Sequence, residues 1–405
     1  MLTGPGSVAD VLTDHDAAVA AARQVAAAWA PGAIERDRAG AAVVPSDALG
    51  ALDASGVTAI TVPAADGGPG LGPRTLAEVG RILASVDPAL AQVPQSHFLM
   101  VDVLAVWGDD ALRARLYADA LAGARIGNGL AERGGRHAQD LKTRLVAGGD
   151  GFRLDGRKYY CTGTLTSRWI AVSALAADDR LVLAFVDRDA PGVTVDTDWD
   201  VMGQRATISG TTTFEDVAVE PDLVLDYAHA FEVPQQLGAR AQLYHAAIEV
   251  GIAGGALRET RGYLRERARP SSEAVRAGAA SAAEDPHVLH RYGRLATRVR
   301  AAEALLADAA AELEAIGLVP ADAHAAARGS LAVAQAKAFG SEVAVEAGSE
   351  LFALCGTSAA DARLDLDRHW RNARTHSVHD PVDWKYHHVA AYDLADLLPP
   401  NHGQL

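Results

Sequence analysis

The hydrophobic pattern of this 405-residue chain changes period twice, and that order restricts its fold more than any single motif does. Residues 14–30 put Val19, Ala22, Val25, Ala26 and Trp29 on one helical face, and Pro31-Gly32 stops the run. Residues 45–55, 74–85 and 109–122 also predict helices. From Phe152 the period shortens to two. Phe152 and Leu154 alternate with polar neighbours, Asp155-Gly156 is a hairpin-turn signal, and alternation resumes at Lys158. Strand patterns follow at 169–175, 181–186, 193–195 and 211–219. Their regular spacing predicts an antiparallel sandwich or barrel of roughly 90 residues.

After Pro234 the helical period returns. Leu243, Ala247, Val250, Gly254, Leu257 and Leu264 make one stripe, Leu289 through Ile316 a second ended by Gly317, and residues 321–354 a third ended by Gly356. A fourth helix at 383–397 would complete an antiparallel bundle. The expected class is α+β: an N-terminal α-helical domain (1–127), a middle antiparallel β domain (128–232) and a C-terminal four-helix bundle (233–405).

The formal net charge of -15 argues against nucleic acid or an anionic membrane as partner. Two cysteines, Cys161 and Cys355, in so long a chain fit a reducing cytoplasm rather than a disulfide framework. No signal peptide or apolar run near the ~20 residues of a membrane span is expected.

Chemistry concentrates near the C-terminus, in residues 369–381, His-Trp-Arg-Asn-Ala-Arg-Thr-His-Ser-Val-His-Asp-Pro. Five of the 14 histidines lie between His369 and His388. Imidazole moves protons near neutral pH, and arginine supplies fixed donors for phosphate or carboxylate. His379 is the candidate acid/base, beside the Asp380-Pro381 break in regular structure. Asp380 either orients an imidazole or caps the following helix. His376, His379 and Asp380 can also be imagined around a metal, but no ligand spacing supports one and no metal site is expected.

Several local runs, in order, resemble the acyl-CoA dehydrogenase fold: Gly56-Val57 to Pro63 with Gly67-Gly68-Pro69-Gly70; Gly151 through Gly163; Met202-Gly203-Gln204-Arg205 through Val219; and Gly251 through Leu257. The C-terminal run departs from the dehydrogenases, whose catalytic glutamate position is taken here by Asp380, with Pro381 in place of a glycine. Trp370 through Pro381, with Glu35-Arg36-Asp37-Arg38-Ala39-Gly40, instead resembles the reduced-flavin monooxygenases of this fold that act on dibenzothiophene and sulfones.

That resemblance implies a flavin-dependent monooxygenase. Reduced FMN would come from a separate NAD(P)H-flavin reductase, dioxygen would add to give a flavin C4a-hydroperoxide, and one oxygen would pass to a small organosulfur or related substrate. Neither GxGxxG after a strand nor GxxxxGK[ST] occurs, which fits an external source of electrons. The family's flavin and substrate positions fall on Thr162, Tyr160, Asn128 and His97, with His376, His379 and Asp380 close by and Arg269 at the flavin phosphate. Tyr160 would share a strand face with Thr162 and lie against the flavin ring. Arg265 and Arg267 compete with Arg269, and Ser358 stands where relatives often carry an arginine. A homo-oligomer, dimer or tetramer, is implied by cofactor sites at subunit interfaces. The alternative is an FAD-dependent acyl-CoA dehydrogenase with Asp380 as base.

Overall fold

The computed structural model describes residues 12–136, 140–403 and 405. Helices come first: α1 (His15–Trp29), α2 (Ala33–Ala39), α3 (Ser46–Ala54), α4 (Pro73–Ala84), α5 (Pro88–Gln92), α6 (Gln95–Trp107) and α7 (Asp110–Leu121). Asp14 and Asp109 cap α1 and α7 by accepting from the third backbone N–H beyond them. Helix α6 has apolar residues all round because it is buried all round, so it shows no stripe to read. Residues Pro88–Trp107 are, contrary to expectation, long and apolar enough to cross a membrane by length and composition. The stretch is divided into α5 and α6, and 83% of its most apolar window lies inside the protein, as a core segment does.

The middle of the chain supplies β1 (Ile126–Gly129), β2 (Arg144–Gly148), β3 (Gly151–Lys158), β4 (Trp169–Leu175), β5 (Leu181–Asp187), β6 (Val193–Val195), β7 (Thr212–Val219) and β8 (Val224–Asp226). Pairing runs β6-β7-β3-β2 and β1-β4-β5-β8, and the two halves meet only at Arg144 and Leu175 among the described residues. Two corrections to the sequence reading follow. The layer is mixed rather than antiparallel, because β1 runs parallel to β4. Asp155-Gly156 is not a hairpin turn: β3 pairs with β2 and β7 on its two sides, and the signal is absorbed as a register shift between Leu154 and Gly156. The turn lies instead at Gly149-Asp150, where Gly149 has φ +65.

The C-terminal helices are α8 (Leu237–Glu266), α9 (Ser272–Arg276), α10 (Pro286–Ile316), α11 (Ala323–Cys355), α12 (Arg368–His376) and α13 (Val382–Ala395). Helices α8, α10 and α11 pack against one another as predicted, and α10 and α11 end at Gly317 and Gly356, both with positive φ. The expected fourth helix does not fill the fourth place. Helix α13 lies against α11 with Lys385 its one buried residue, while α4 packs along α8. One apolar core therefore mixes α1, α3 and α4 with α8, α10 and α11, and a second joins α6 and α7 to the β layer.

Candidate active site

Helix α8 is apolar on most of its surface, yet Gln242, His245 and Glu249 recur at helical spacing and are 3%, 2% and 0% exposed. They face the end of α12 and the turn after it. His376 Nδ1 lies 3.0 Å from Glu249 Oε1, and its Nε2 lies 3.2 Å from His245 Nδ1 and 3.0 Å from Gln92 Oε1. The His245 and His379 rings lie against each other at a 4.1 Å centroid distance, tilted by 33°. Water reaches 43% of the His379 side chain, and His245 and His376 cover the rest from one side. That crowding holds the His379 pKa below the usual imidazole value, and the charges of Lys337 and His376 push the same way against the pull of Asp380. Burial does the same to His245 and pushes it further down, aided by His379, Lys337 and His376. Both rings are thus kept neutral near pH 7.

Asp380 is buried between two buried ammonium groups. Lys337, on α11, donates to its Oδ1 and also to Gln242 Oε1 at 2.5 Å; Lys385, on α13, lies 2.7 Å from its Oδ2. His379 Nδ1 is 3.8 Å from Asp380 Oδ1. Burial alone would raise the carboxyl pKa, but His379 and the two lysines hold it well below the usual carboxylate range. Asp380 neither caps a helix nor waits for a proton; it is the counter-ion of two lysines.

A second polar group lies where the β domain meets α12. Chain β3 ends at Lys158 and kinks at Tyr160, which has φ +59, so Tyr160 and Thr162 do not share a strand face as expected. The Tyr160 ring is 46% exposed, under the Arg133 guanidinium and edge-on to Trp199. Thr162 and Asn128 are brought together directly: Asn128 N–H donates to the Thr162 carbonyl at 3.1 Å. Thr162 Oγ1 contacts Ser209 Oγ at 2.6 Å, Ser209 Oγ donates to Thr207 Oγ1 at 2.8 Å, and Thr207 donates to the Gln204 carbonyl at 2.9 Å. Asn372 Oδ1 accepts from Gln204 N–H, and Gly203 fits so closely on α12 that a Cβ would lie 2.0 Å from the Arg371 carbonyl. Asn372 and His376 are four residues apart, so one face of α12 serves both groups.

Other expected site residues lie elsewhere. His97 is fully buried, with Nε2 donating to the Thr58 carbonyl at 2.8 Å and Nδ1 accepting from Ile126 N–H at 3.2 Å. Burial lowers its pKa to about 4, and both nitrogens are spent on backbone, so it is a neutral tie between α6 and β1. Arg269 is exposed beyond the end of α8 and joins neither group. Ser358 accepts from the Tyr263 hydroxyl at 2.8 Å. Of the arginines in the C-terminal run, Arg371 is occupied by the chain's own Asp37, Asp365 and Asp367 at 2.7–3.0 Å. No metal-ligand cluster occurs among the described residues.

Three family models cover most of the chain: the acyl-CoA dehydrogenase N-terminal domain over residues 13–124, the middle domain over 129–217 and a C-terminal domain over 243–384. Dibenzothiophene monooxygenase of Rhodococcus erythropolis is 33% identical over 94% of each chain. The chain belongs to the acyl-CoA dehydrogenase family. Within this family it is also 34% identical to the probable FMNH2-dependent monooxygenase SfnC of Pseudomonas putida, over 96% of this chain and 98% of that one. The crystal structure of FMN-bound TdsC from Paenibacillus sp. A11-2 superposes with a TM-score of 0.90 at 29% identity, covering 96% of this chain and all of the other. Family membership accounts for the shared scaffold; the Lys337–Asp380–Lys385 bridge and the hydroxyl chain are read from this chain's own contacts. Gln92, His245, Glu249, Lys337 and Lys385 were not singled out from sequence. The available signal was the recurrence of Gln242, His245 and Glu249 on an apolar helix, where buried polar groups need partners.

Proposed function

We propose that this protein is a flavin-dependent monooxygenase that uses reduced FMN from a separate flavin reductase and dioxygen to oxidise a small organosulfur or related substrate. The observation that carries the reading is Asp380 locked between Lys337 and Lys385 beside a half-exposed His379. A dehydrogenase base must take a proton from carbon. Asp380 is held far too acidic for that and has no free oxygen facing a substrate. The FAD-dependent dehydrogenase alternative is therefore the weaker one.

The residues fit a flavin. Gln204 is 4% exposed with neither carboxamide atom partnered, and its backbone carbonyl ends the hydroxyl chain from Thr162, whose own carbonyl accepts from Asn128 N–H. Thr162, Asn128 and Tyr160 would hold the flavin ring, with the Thr162 hydroxyl at its N5 and Arg269 reaching the phosphate from a neighbouring copy in a homo-oligomer. His376 and Asp380 keep His379 in place. Bound reduced FMN supplies the electrons that activate dioxygen. His379, neutral and reached by water, exchanges a proton at the ring through a free imidazole nitrogen, while neutral His245 packs against one side of it.

The test is a coupled assay with NADH, a flavin reductase, FMN and a panel of thioethers, sulfones and sulfinates under isotopically labelled dioxygen. One labelled oxygen in a sulfur product is expected. Reduction of bound FAD by an acyl-CoA, with no oxygen consumed, would overturn the reading.

A further inference from the structure

The hydroxyl chain has a direction, and the direction is set at its far end. The Gln204 carbonyl can only accept, and it receives Thr207 Oγ1 at 2.9 Å and Trp199 Nε1 at 2.9 Å. Thr207 has one proton and gives it to Gln204, so Ser209 must donate to Thr207. Ser209 then has none left, so Thr162 must donate to Ser209 across 2.6 Å. The Thr162 backbone N–H is also taken, by the Tyr160 carbonyl at 2.8 Å. Thr162 therefore has no donor to offer a ligand; only hydroxyl lone pairs remain.

The anchor is not free to turn. Gln204 is held by Asn372 at its backbone N–H and by Trp199 at its carbonyl. Gln204 and Ile208 bracket Thr207 with φ +55 and +49, a left-handed backbone that a β-branched residue rarely adopts, so the surrounding packing must impose this turn.

We infer that the Ser209–Thr207 chain makes Thr162 an obligate hydrogen-bond acceptor and so selects the reduced flavin, whose N5 carries a hydrogen, over the oxidised flavin, whose N5 is itself an acceptor. This rests on the flavin placement proposed above. Ser209 and Thr207 are positioning residues that act through Thr162.

Anaerobic titration of the protein with oxidised FMN and with chemically reduced FMN gives the ratio of the two dissociation constants, a readout independent of turnover. One hydrogen bond gained against one lost predicts that the wild type prefers the reduced form by about tenfold, or about 30 mV for a two-electron couple. Thr207→Val leaves Ser209 without an acceptor, so Ser209 turns toward Thr162 and the Thr162 proton is released outward. The preference should vanish or reverse. Ser209→Ala should abolish it, and Thr207→Ser should keep it. Thr162→Val separates the two levels. If it changes the ratio while Thr207→Val and Ser209→Ala do not, the direction of the chain is wrong and the flavin placement stands. If it too leaves the ratio unchanged, Thr162 does not face N5, and both the placement and the inference fall.

Discussion

The two polar groups joined by α12 are built on opposite principles. The cluster around His379 is made of titratable groups, with Lys337 and Lys385 against Asp380 while His245 and His379 stay neutral. The chain from Thr162 to Gln204 contains no titratable group and takes its order from one backbone carbonyl. The comparison teaches that proton traffic and ligand discrimination can be kept apart within one site. The hydroxyl chain itself carries no charge and is fixed by geometry, indifferent to pH, while on the helical side pH sets the state of the cluster.

The sharpest way to break this contrast is to unbalance the charges. Lys337→Met leaves Asp380 buried with one cation and should lower stability by about 3–5 kcal/mol, measured by chemical denaturation. A loss within error would mean that the bridge is ornamental. His379→Ala should lower oxygenation by roughly 10²–10⁴-fold with flavin affinity near that of the wild type; unchanged turnover would remove His379 from proton transfer. On the neutral side, Asn372→Ala strands one buried N–H and should cost about 1–3 kcal/mol, together with part of the preference for reduced flavin. An Asn372→Ala protein with wild-type preference would show that Trp199 alone fixes the anchor.

The pH dependence sharpens the same line. His245 and His379 have folded-state pKa values below the ordinary imidazole value of about 6.5, so the folded protein binds fewer protons than the unfolded chain just below that pH. Stability is therefore complete above that value and declines as pH falls. Asp380, held low, adds a further loss in the same direction below its unfolded value of about 4. His245→Gln should flatten the decline measured by thermal melting between neutral and mildly acidic pH, and Thr207→Val should leave it untouched. Equal flattening by both would erase the distinction. The smallest effect on the fold is expected at exposed Arg269: Arg269→Ala should weaken FMN binding with no change in melting temperature. An unchanged dissociation constant would move the phosphate to another arginine.

Much of the scaffold was legible because period and burial coincide. The first helix, the strands at 169–175 and 193–195 and the ends of the long helices at Gly317 and Gly356 match the sequence expectation within a residue or so. Helix α6 escaped because burial on every side erases its stripe, and Asp155-Gly156 misled because pairing on both sides of β3 outweighs a local turn preference. In the site, His376, His379 and Asp380 were visible as a dense run. Lys337 and Lys385 were not, since a lysine on a helix ordinarily faces water and only tertiary packing shows these two buried against one carboxylate. The hydroxyl chain was equally hidden: serine and threonine in a loop carry no sequence mark of direction. His97, conspicuous in the sequence, ties backbone together through both ring nitrogens, a use that its sequence position does not announce.

The packing of α4 along α8 also bears on how the protein is made. The faces that meet are separated by the entire β domain, so Leu76, Val79 and Leu83 leave the ribosome roughly 150 residues before the helix that covers them. At about 5–20 residues per second, the nascent N-terminal helices wait on the order of ten seconds or more with an uncovered apolar face. Truncation after the β domain would make that wait permanent, and the fragment would be a substrate for chaperones and proteases rather than a smaller folded protein.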